Sequence, residues 1–409
     1  MTAVDRPAPY TASEHALLEL IDVDEIVRLA TDLIEAPSIN PGGSEQAVVN
    51  ILAAACSDLG CTVTLREVAP GRPNLVATLP GGAGPGLMFL GHSDVVPAGP
   101  GWTGDPFWVR MIGDRLIGRG ATDMKGGLAA IVGAMAALSR LRDRGTTLDG
   151  PVRLVCTVDE EEHGLGVRAF VDDPVGARSG GHSFLGCVVA EPTDMDIVRG
   201  CRGVSYLRIE VTGRAAHSGR PSDGRSAIDA AARVVEVIRA DHARLAGAPD
   251  PLLGSGTWNV GTISGGQSTS VVASGCRMSV DRRLLPHEDA AGVADRLRAM
   301  ISAAGIDTDG IGIEVRPIME TPGFVTDADH LLVTAAAGAV ADVGPRPGIT
   351  GWTAACDGGF VHRDLGIPTI VLGPGDLTEQ AHRPDESIAI GDLDTAARAY
   401  ALLASRLLS

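Results

Sequence analysis

Lysine is almost absent from this 409-residue chain: Lys125 is the only one, and arginine supplies every other basic side chain. A compositional bias of the genome accounts for that pattern. Basic residues are also in deficit, 34 against 51 acidic ones, for a net charge of −17. The deficit argues against broad nucleic-acid binding, which needs Lys and Arg to displace counterions from phosphate, and against docking on anionic membranes. Aromatic residues are only 3% of the chain, so much of the core must be Val, Leu, Ile and Ala. The seven cysteines are odd in number and contain no CxxC pair, which fits buried, reduced thiols better than a disulfide framework. No basic segment followed by an apolar run opens Met1 to Glu19, so no signal peptide is expected. The longest apolar stretch, Leu128 to Leu138, is too short to span a bilayer and reads as a core helix. These absences together predict a soluble, cytoplasmic protein.

Hydrophobic residues make up 44% of the chain, ample for a large core, and the length suggests two or three domains. Helical patterns over Glu14 to Glu35 and Glu45 to Leu59 precede strands at Thr62 to Glu67, Asn74 to Leu79 and Gly86 to Leu90. A helix at Gly126 to Leu141 and strands at Val152 to Val158 and Leu185 to Ala190 complete a layered α/β pattern. After about residue 200 the pattern changes. Strand Val204 to Val211, helix Ser222 to Leu245, strands Thr257 to Ile263 and Ser270 to Asp281, helix Asp289 to Ala304 and strand Ile311 to Pro317 form a ferredoxin-like β-α-β-β-α-β unit. Helices Ala328 to Ala341 and Asp394 to Leu408 flank a strand at Thr369 to Leu372 and resume the α/β style. The expected organisation is an α/β domain over residues 1–201 and 321–409, interrupted by an inserted domain over 202–320.

Polar residues follow the apolar strands in a telling way. Strand Gly86 to Leu90 runs into Gly91-His92-Ser93-Asp94, and Val152 to Val158 into Asp159-Glu160-Glu161-Glu162. Leu185 to Ala190 leads to Glu191, Thr369 to Leu372 leads through a Gly-Pro-Gly turn to His382, and Asp123 lies in the loop before helix Gly126 to Leu141. Ligands of α/β sheets bind beyond the carboxyl ends of strands. Imidazole mixed with carboxylate, without cysteine, is the donor set of a hydrolytic zinc site. Taken singly, each of these residues reads as a surface or core residue; it is their recurrence after successive strands that points to a site.

The chain resembles the co-catalytic zinc deacylases and exopeptidases that include acetylornithine deacetylase, succinyl-diaminopimelate desuccinylase, aminoacylase-1 and carboxypeptidase G. The matching segments are Gly91-His-Ser-Asp-Val-Val-Pro-Ala-Gly99, Gly118-Arg-Gly-Ala-Thr-Asp-Met-Lys-Gly-Gly127, Thr157-Val-Asp-Glu-Glu161, Glu191-Pro-Thr, Ala216-His-Ser218, Asp281-Arg-Arg-Leu-Leu-Pro286 and Ala381-His-Arg-Pro-Asp-Glu386. They occur in the family's order over most of the chain. The resemblance implies a mixed-sheet α/β zinc-exopeptidase-like catalytic domain with an inserted lid and dimerisation domain. It implies two zinc ions per subunit, replaceable by cobalt or manganese, bridged by Asp123 and a water or hydroxide. His92 and Glu191 would complete one site, Glu161 and His382 the other. Asp94 would hydrogen-bond His92 from behind, and Glu160 would be the general base. The glycines of the family pattern fall on Gly164 and Gly166, which sets base and ligand as Glu160 and Glu161 rather than Glu161 and Glu162. His217, on the lid, would steady the oxyanion in the neighbouring subunit of a homodimer. Arg283, with Asn259 as a second candidate, would hold the substrate carboxylate, and Arg282 is the competing arginine. Lys125 reads as a packing or ion-pair residue, and Cys356 as a buried thiol.

Many relatives carry Arg after an Asp-Gly or Asp-Ala pair near the C-terminal strand, where this chain has Asp357-Gly358-Gly359-Phe360. That departure removes a partner for a second anionic group and weighs against a desuccinylase. The leading expectation is a zinc amidohydrolase that removes an acetyl, succinyl or similar group from an amino acid. A dipeptidase or carboxypeptidase on the same site is the alternative. An inactive binding protein on this fold is a remote third, disfavoured because every ligand position and Glu160 are filled by competent residues. The expected partner is a small N-acyl amino acid or short peptide, with no nucleic acid and no membrane.

Overall fold

A strand without a polar face needs cover on both sides, and Gly86–His92 is buried at all seven positions. The computed structural model, which describes residues 10–173 and 183–409, places it at the centre of a mixed sheet. The expectation for residues 1–9 lies outside the described residues. Gly86–His92 runs parallel to Val152–Thr157 on one side and to Phe184–Val189 on the other. Thr369–Val371 continues the parallel set beside Phe184–Val189. Arg72–Leu79 pairs antiparallel with Val152–Thr157, and Thr62–Ala69 pairs antiparallel with Arg72–Leu79. Continuous burial of this kind belongs to parallel strands with helices on both faces. Four parallel strands therefore end at one edge of the sheet.

Helix Gly126–Asp143 is buried along most of its length and packs against helices Val23–Ile34 and Ile390–Leu407. Its apolar composition is that of a core helix. Gly127 lets its first turn lie close to the chain at Ala190, directly before Glu191: a Cβ at position 127 would collide with the Ala190 carbonyl oxygen. The helix expected over Glu14 to Glu35 is two helices, Ala12–Leu18 and Val23–Ile34. Asp22 causes the break, because its side chain accepts the Glu25 N–H at 3.0 Å and so opens a new helix as its N-cap.

The chain divides into two compact units. Among the described residues the first runs to Gly200 and resumes over Val325–Thr350 and Phe360–Ser409; the second comprises Cys201–Phe324 and Gly351–Gly359. In the second unit the element order is strand Gly203–Thr212, helix Ala227–Ala246, strands Thr257–Gly265 and Gly275–Leu284, helix Ala290–Ala303 and strand Gly312–Thr321. Its antiparallel sheet has the order Thr257–Gly265, Gly275–Leu284, Gly203–Thr212, Gly312–Thr321. The inward residues Leu207, Ile209, Met278 and Val280 pack against Val234 and Ile238 of one helix and Leu297 of the other. The last strand outruns its expected end at Pro317: the register shifts between Pro317 and Met319, so an edge strand absorbs the proline and continues to Thr321. None of the seven cysteines is bridged, and all but Cys61 are buried.

Gly127→Ala is expected to lower stability by about 1–3 kcal/mol, because backbone must move to admit the methyl group. Gly391→Ala, whose Cβ meets nothing within 4 Å in a helix, is expected to leave stability unchanged or raise it by up to about 1 kcal/mol. Urea unfolding of both variants checks this, and a Gly127→Ala protein as stable as the parent would overturn the packing argument.

Candidate metal centre

The residues that follow the four parallel strand ends converge. Gly86–His92 delivers His92, Val152–Thr157 delivers Glu160 and Glu161, Phe184–Val189 delivers Glu191, and the chain after Thr369–Val371 delivers His382. Asp123 comes from the turn before helix Gly126–Asp143, where its peptide bond to Met124 is cis. Its side chain sits between two imidazoles. Oδ1 lies 3.2 Å from His92 Nε2, and Oδ2 lies 3.3 Å from His382 Nε2. Each imidazole nitrogen also faces a glutamate: His92 Nε2 is 3.3 Å from Glu191 Oε1, and His382 Nε2 is 3.2 Å from Glu161 Oε2. Two three-residue groups thus share one carboxylate. Glu160 approaches His92 and Glu191, with ligand atoms of the three within 4.8 Å of one another. Glu162 is exposed.

The donors fit a divalent ion. Nitrogen and oxygen ligands at about 2.0–2.1 Å from a tetrahedral zinc lie roughly 3.3 Å apart, which matches the four spacings above. Glu161 Oε1 is buried and has no hydrogen-bond partner among the described residues, a costly state that a cation would relieve. His92, Asp123 and Glu191 are buried, whereas the His382 side chain is 52% exposed.

Electrostatics show the same strain of like charges. Burial disfavours a charged His92, yet the Glu191 carboxylate and the contact with Asp123 raise its pKa well above the ordinary value. Hydrogen bonds to Asp123 and Glu161 push His382 up to about 10. Burial and then the neighbouring Asp123 hold Glu191 at about 7, although His92 pulls the other way. Burial likewise raises Glu161, with Asp123 adding to it. Burial would raise Asp123 too, but hydrogen bonds from His382 and His92 bring it below the usual carboxylate range. Without a cation, imidazolium protons supply the positive charge that the carboxylates require.

Asp94 supports the centre in two ways. His92 Nδ1 is nearest the Asp94 main-chain carbonyl, at 3.0 Å, while the carboxylate stands 3.6 Å away. That carboxylate instead accepts the N–H groups of Glu160 and Glu161 at 3.2 and 3.1 Å, fixing the turn that carries both. Gly166 makes the turn possible, since a Cβ there would strike the Val158 backbone. Sequence reasoning missed the residues behind Asp94. Asn40 Nδ2 donates to Asp94 at 2.9 Å and to Asp159 at 3.0 Å, and Arg72 joins Asp159 to Glu45. Only the adjacency of Asp159 to Glu160 hinted at them, because Asn40 reaches partners 54 and 119 residues away. Lys125 is fully buried and donates to the Ala36 carbonyl at 2.8 Å; burial lowers its pKa to about 7 against the pull of Glu386 and Asp94.

The other expected site residues belong to the second unit. His217 is exposed, and its Nδ1 accepts the Gly219 N–H at 3.0 Å, so a neutral His217 carries its proton on Nε2. Arg283 is partly exposed and pairs with Asp281 through Nε and Nη2, leaving Nη1 outside the pair. Arg282 faces the opposite side, buried over the Trp258 ring and doubly bonded to Glu288. Asn259 is exposed on the edge strand, opposite Asp281.

The chain is similar in sequence and in fold to known proteins. An acetylornithine deacetylase of Aliivibrio fischeri (strain MJ11) is 32% identical over 357 residues, covering 85% of this chain and 88% of the relative. The M20 family metallo-carboxypeptidase Sso-CP2 of Sulfolobus solfataricus superposes with a TM-score of 0.75 at 22% identity, over 93% of this chain and 99% of its own. A Bacillus subtilis protein described as a dinuclear metal-binding peptidase of the M20 family superposes with a TM-score of 0.71 at 18% identity, over 94% and 98%. A sequence model of peptidase family M20/M25/M40 matches residues 88–406, and the chain belongs to that family of hydrolases.

Proposed function

We propose that this protein is a zinc-dependent amidohydrolase that removes a small N-acyl group, such as acetyl, from an amino acid. The observation that carries the reading is the placement of Asp123, whose two oxygens each face a histidine–glutamate pair. His92, Asp123 and Glu191 would hold one ion, and Asp123, Glu161 and His382 the other. Bound there, the two ions would acidify a water to near-neutral pKa and polarise the amide carbonyl. Glu160, whose carboxylate comes within 4.8 Å of the ligand atoms of His92 and Glu191, would act as general base, taking a proton from the attacking water and returning it to the leaving amine. His217 would donate its Nε2–H to the oxyanion, an interaction worth about 10²–10³ in rate at sites of this kind. Arg283, through Nη1, would bind the substrate carboxylate, with Asn259 beside it in support.

A homodimer through the second unit accords with its edge strand Thr257–Gly265, which leaves Ile263 exposed. Such edges pair with other chains unless they are covered. A cytoplasmic location accords with seven unbridged cysteines. The position taken by Arg in many relatives is Gly359, which offers no side chain to a second anionic group and so favours acetyl over succinyl. The exopeptidase reading draws on neighbours such as the Sulfolobus carboxypeptidase.

Assay of N-acetyl, N-succinyl and dipeptide substrates with zinc or cobalt tests the reading; turnover of dipeptides alone would replace it with an exopeptidase. Glu160→Ala is expected to retain two metals per chain and lose activity by at least about 10²-fold, as metal analysis and kinetics will show. His217→Ala should lower turnover and leave metal content intact. If His217 serves the neighbouring subunit, mixing Glu160→Ala with His217→Ala subunits should restore part of the activity, and no recovery after verified exchange would refute that arrangement.

Metal binding is also expected to release protons. Metal-free His382 keeps its proton up to about pH 10 and must lose it to become a ligand. Affinity should therefore rise with pH towards 10 and fall in acid. In the metal-free fold the same shift stabilises fully below the ordinary histidine pKa of 6.5, and that contribution is lost as pH rises through about 10. Calorimetry in two buffers of different ionisation enthalpy measures the release; its absence at pH 7 would contradict the ligand role of His382.

A further inference from the structure

Four residues beyond His382, Glu386 turns a fully buried carboxylate back onto the loop that carries Asp123. Oε2 accepts Arg119 Nη1 at 2.6 Å and the Gly120 N–H at 3.0 Å. Oε1 accepts the Thr122 N–H at 2.8 Å and the Asp123 N–H at 2.9 Å. Its main-chain carbonyl accepts the Gly118 N–H at 2.9 Å. An ionised carboxylate offers about four lone-pair sites, and here all are taken by donors from residues 119–123. None is left for a cation, so Glu386 is not a ligand.

The next residues extend the same seam. Thr122 Oγ1 donates to the Ser387 carbonyl at 2.8 Å, and strand Ser387–Ala389 pairs with Arg115–Ile117. The chain that bears His382 and the chain that bears Asp123 are thus joined, with a single buried carboxylate at the point nearest both. We propose that Glu386 is a positioning residue of the metal centre, which clamps the Asp123 loop to the His382 segment and so sets the affinity for the ion between Asp123, Glu161 and His382. The inference rests on the metal-ligand reading above. Its chemistry explains why a glutamate is needed: the amide group of glutamine would point an N–H₂ at two existing donors on whichever oxygen it replaced. Aspartate would be one methylene short of the four donors.

The test is titration of the metal-free full-length protein with Co(II), followed by visible absorption and by competition with a chelator. The parent protein is expected to bind two ions. Glu386→Gln is expected to bind the more weakly held ion about 10–100-fold less tightly, the range typical of outer partners of metal ligands, and to lose the corresponding part of the Co(II) spectrum. At saturating metal it should recover kcat towards that of the parent. If Glu386 only stabilises the fold, Glu386→Gln will unfold at lower denaturant but bind both ions with parental affinity and spectrum, which would overturn the proposal. Should Glu386→Gln not fold, Arg119→Lys removes the forked donor and leaves the three main-chain donors; it is expected to weaken the same ion by a smaller factor, and parental affinity there would count against the clamp. Failure of the parent protein itself to bind two ions would instead refute the ligand reading on which the clamp depends.

Discussion

Carboxylates that repel one another must be held together before any cation arrives, and the first unit is organised around that constraint. Asp123, Glu161, Glu191 and Glu160 crowd around two imidazoles. At separations of a few ångström in a partly dry site, like charges cost several kcal/mol unless they are protonated, paired or given a cation. The fold meets that cost with fixed donors. Asp94 is held by Asn40 and by the N–H groups of Glu160 and Glu161, and Glu386 by Arg119 and three backbone N–H groups. These outer carboxylates bear the hydrogen bonds, and the inner ones keep oxygens for a ligand. Glu161 Oε1, buried without a hydrogen-bond partner among the described residues, shows the division of labour most directly.

The parallel sheet makes the crowding possible. Strands that run in the same direction deliver their following residues to one edge, and buried strands leave no freedom for that edge to shift. Small residues then bring the loops into range: Gly166 lets the acidic turn fold against Val158, and Gly127 lets the helix after Asp123 press on Ala190. Precision at the site is therefore a consequence of packing several residues away.

Much of this was legible in the sequence because it is local. Apolar runs of five to seven residues followed by His, Asp or Glu mark both a strand and its functional end, and the order of elements in the second unit can be read from periodicity alone. In two places a single polar residue or proline accounts for the difference from expectation. Asp22 acts as a cap inside what reads as one long helix, and Pro317 sits at a register shift inside a strand. The supporting network was not legible. Glu386 lies 263 to 267 residues from its donors, and Asn40 and Arg72 carry no local signature, since an Asn before Pro and an Arg in a strand occur in any protein. The roles of the two histidines also differ in ways that sequence does not encode. His92 is buried against its own chain turn, whereas His382 is half-exposed and depends on a long loop for its position.

The acidic composition takes on a different meaning at this scale. A net charge of −17 should repel an acyl amino acid, itself an anion, by a long-range field that physiological salt screens within about 8 Å. Inside that distance only local charge matters. Two dications would balance Asp123, Glu161, Glu191 and Glu160, leaving the centre close to neutral at the moment the substrate enters. The remaining attraction would have to come from the substrate's carboxylate partner. On the proposed reading Arg283 would take that part: Asp281 occupies only Nε and Nη2, so one carboxylate orients the guanidinium and Nη1 lies outside the pair. An arginine buried as Arg282 is, over Trp258 and against Glu288, has no such capacity. Of two adjacent and chemically identical side chains, the alternation of the strand sends Arg282 into the core and leaves Arg283 part-exposed with Nη1 outside its ion pair.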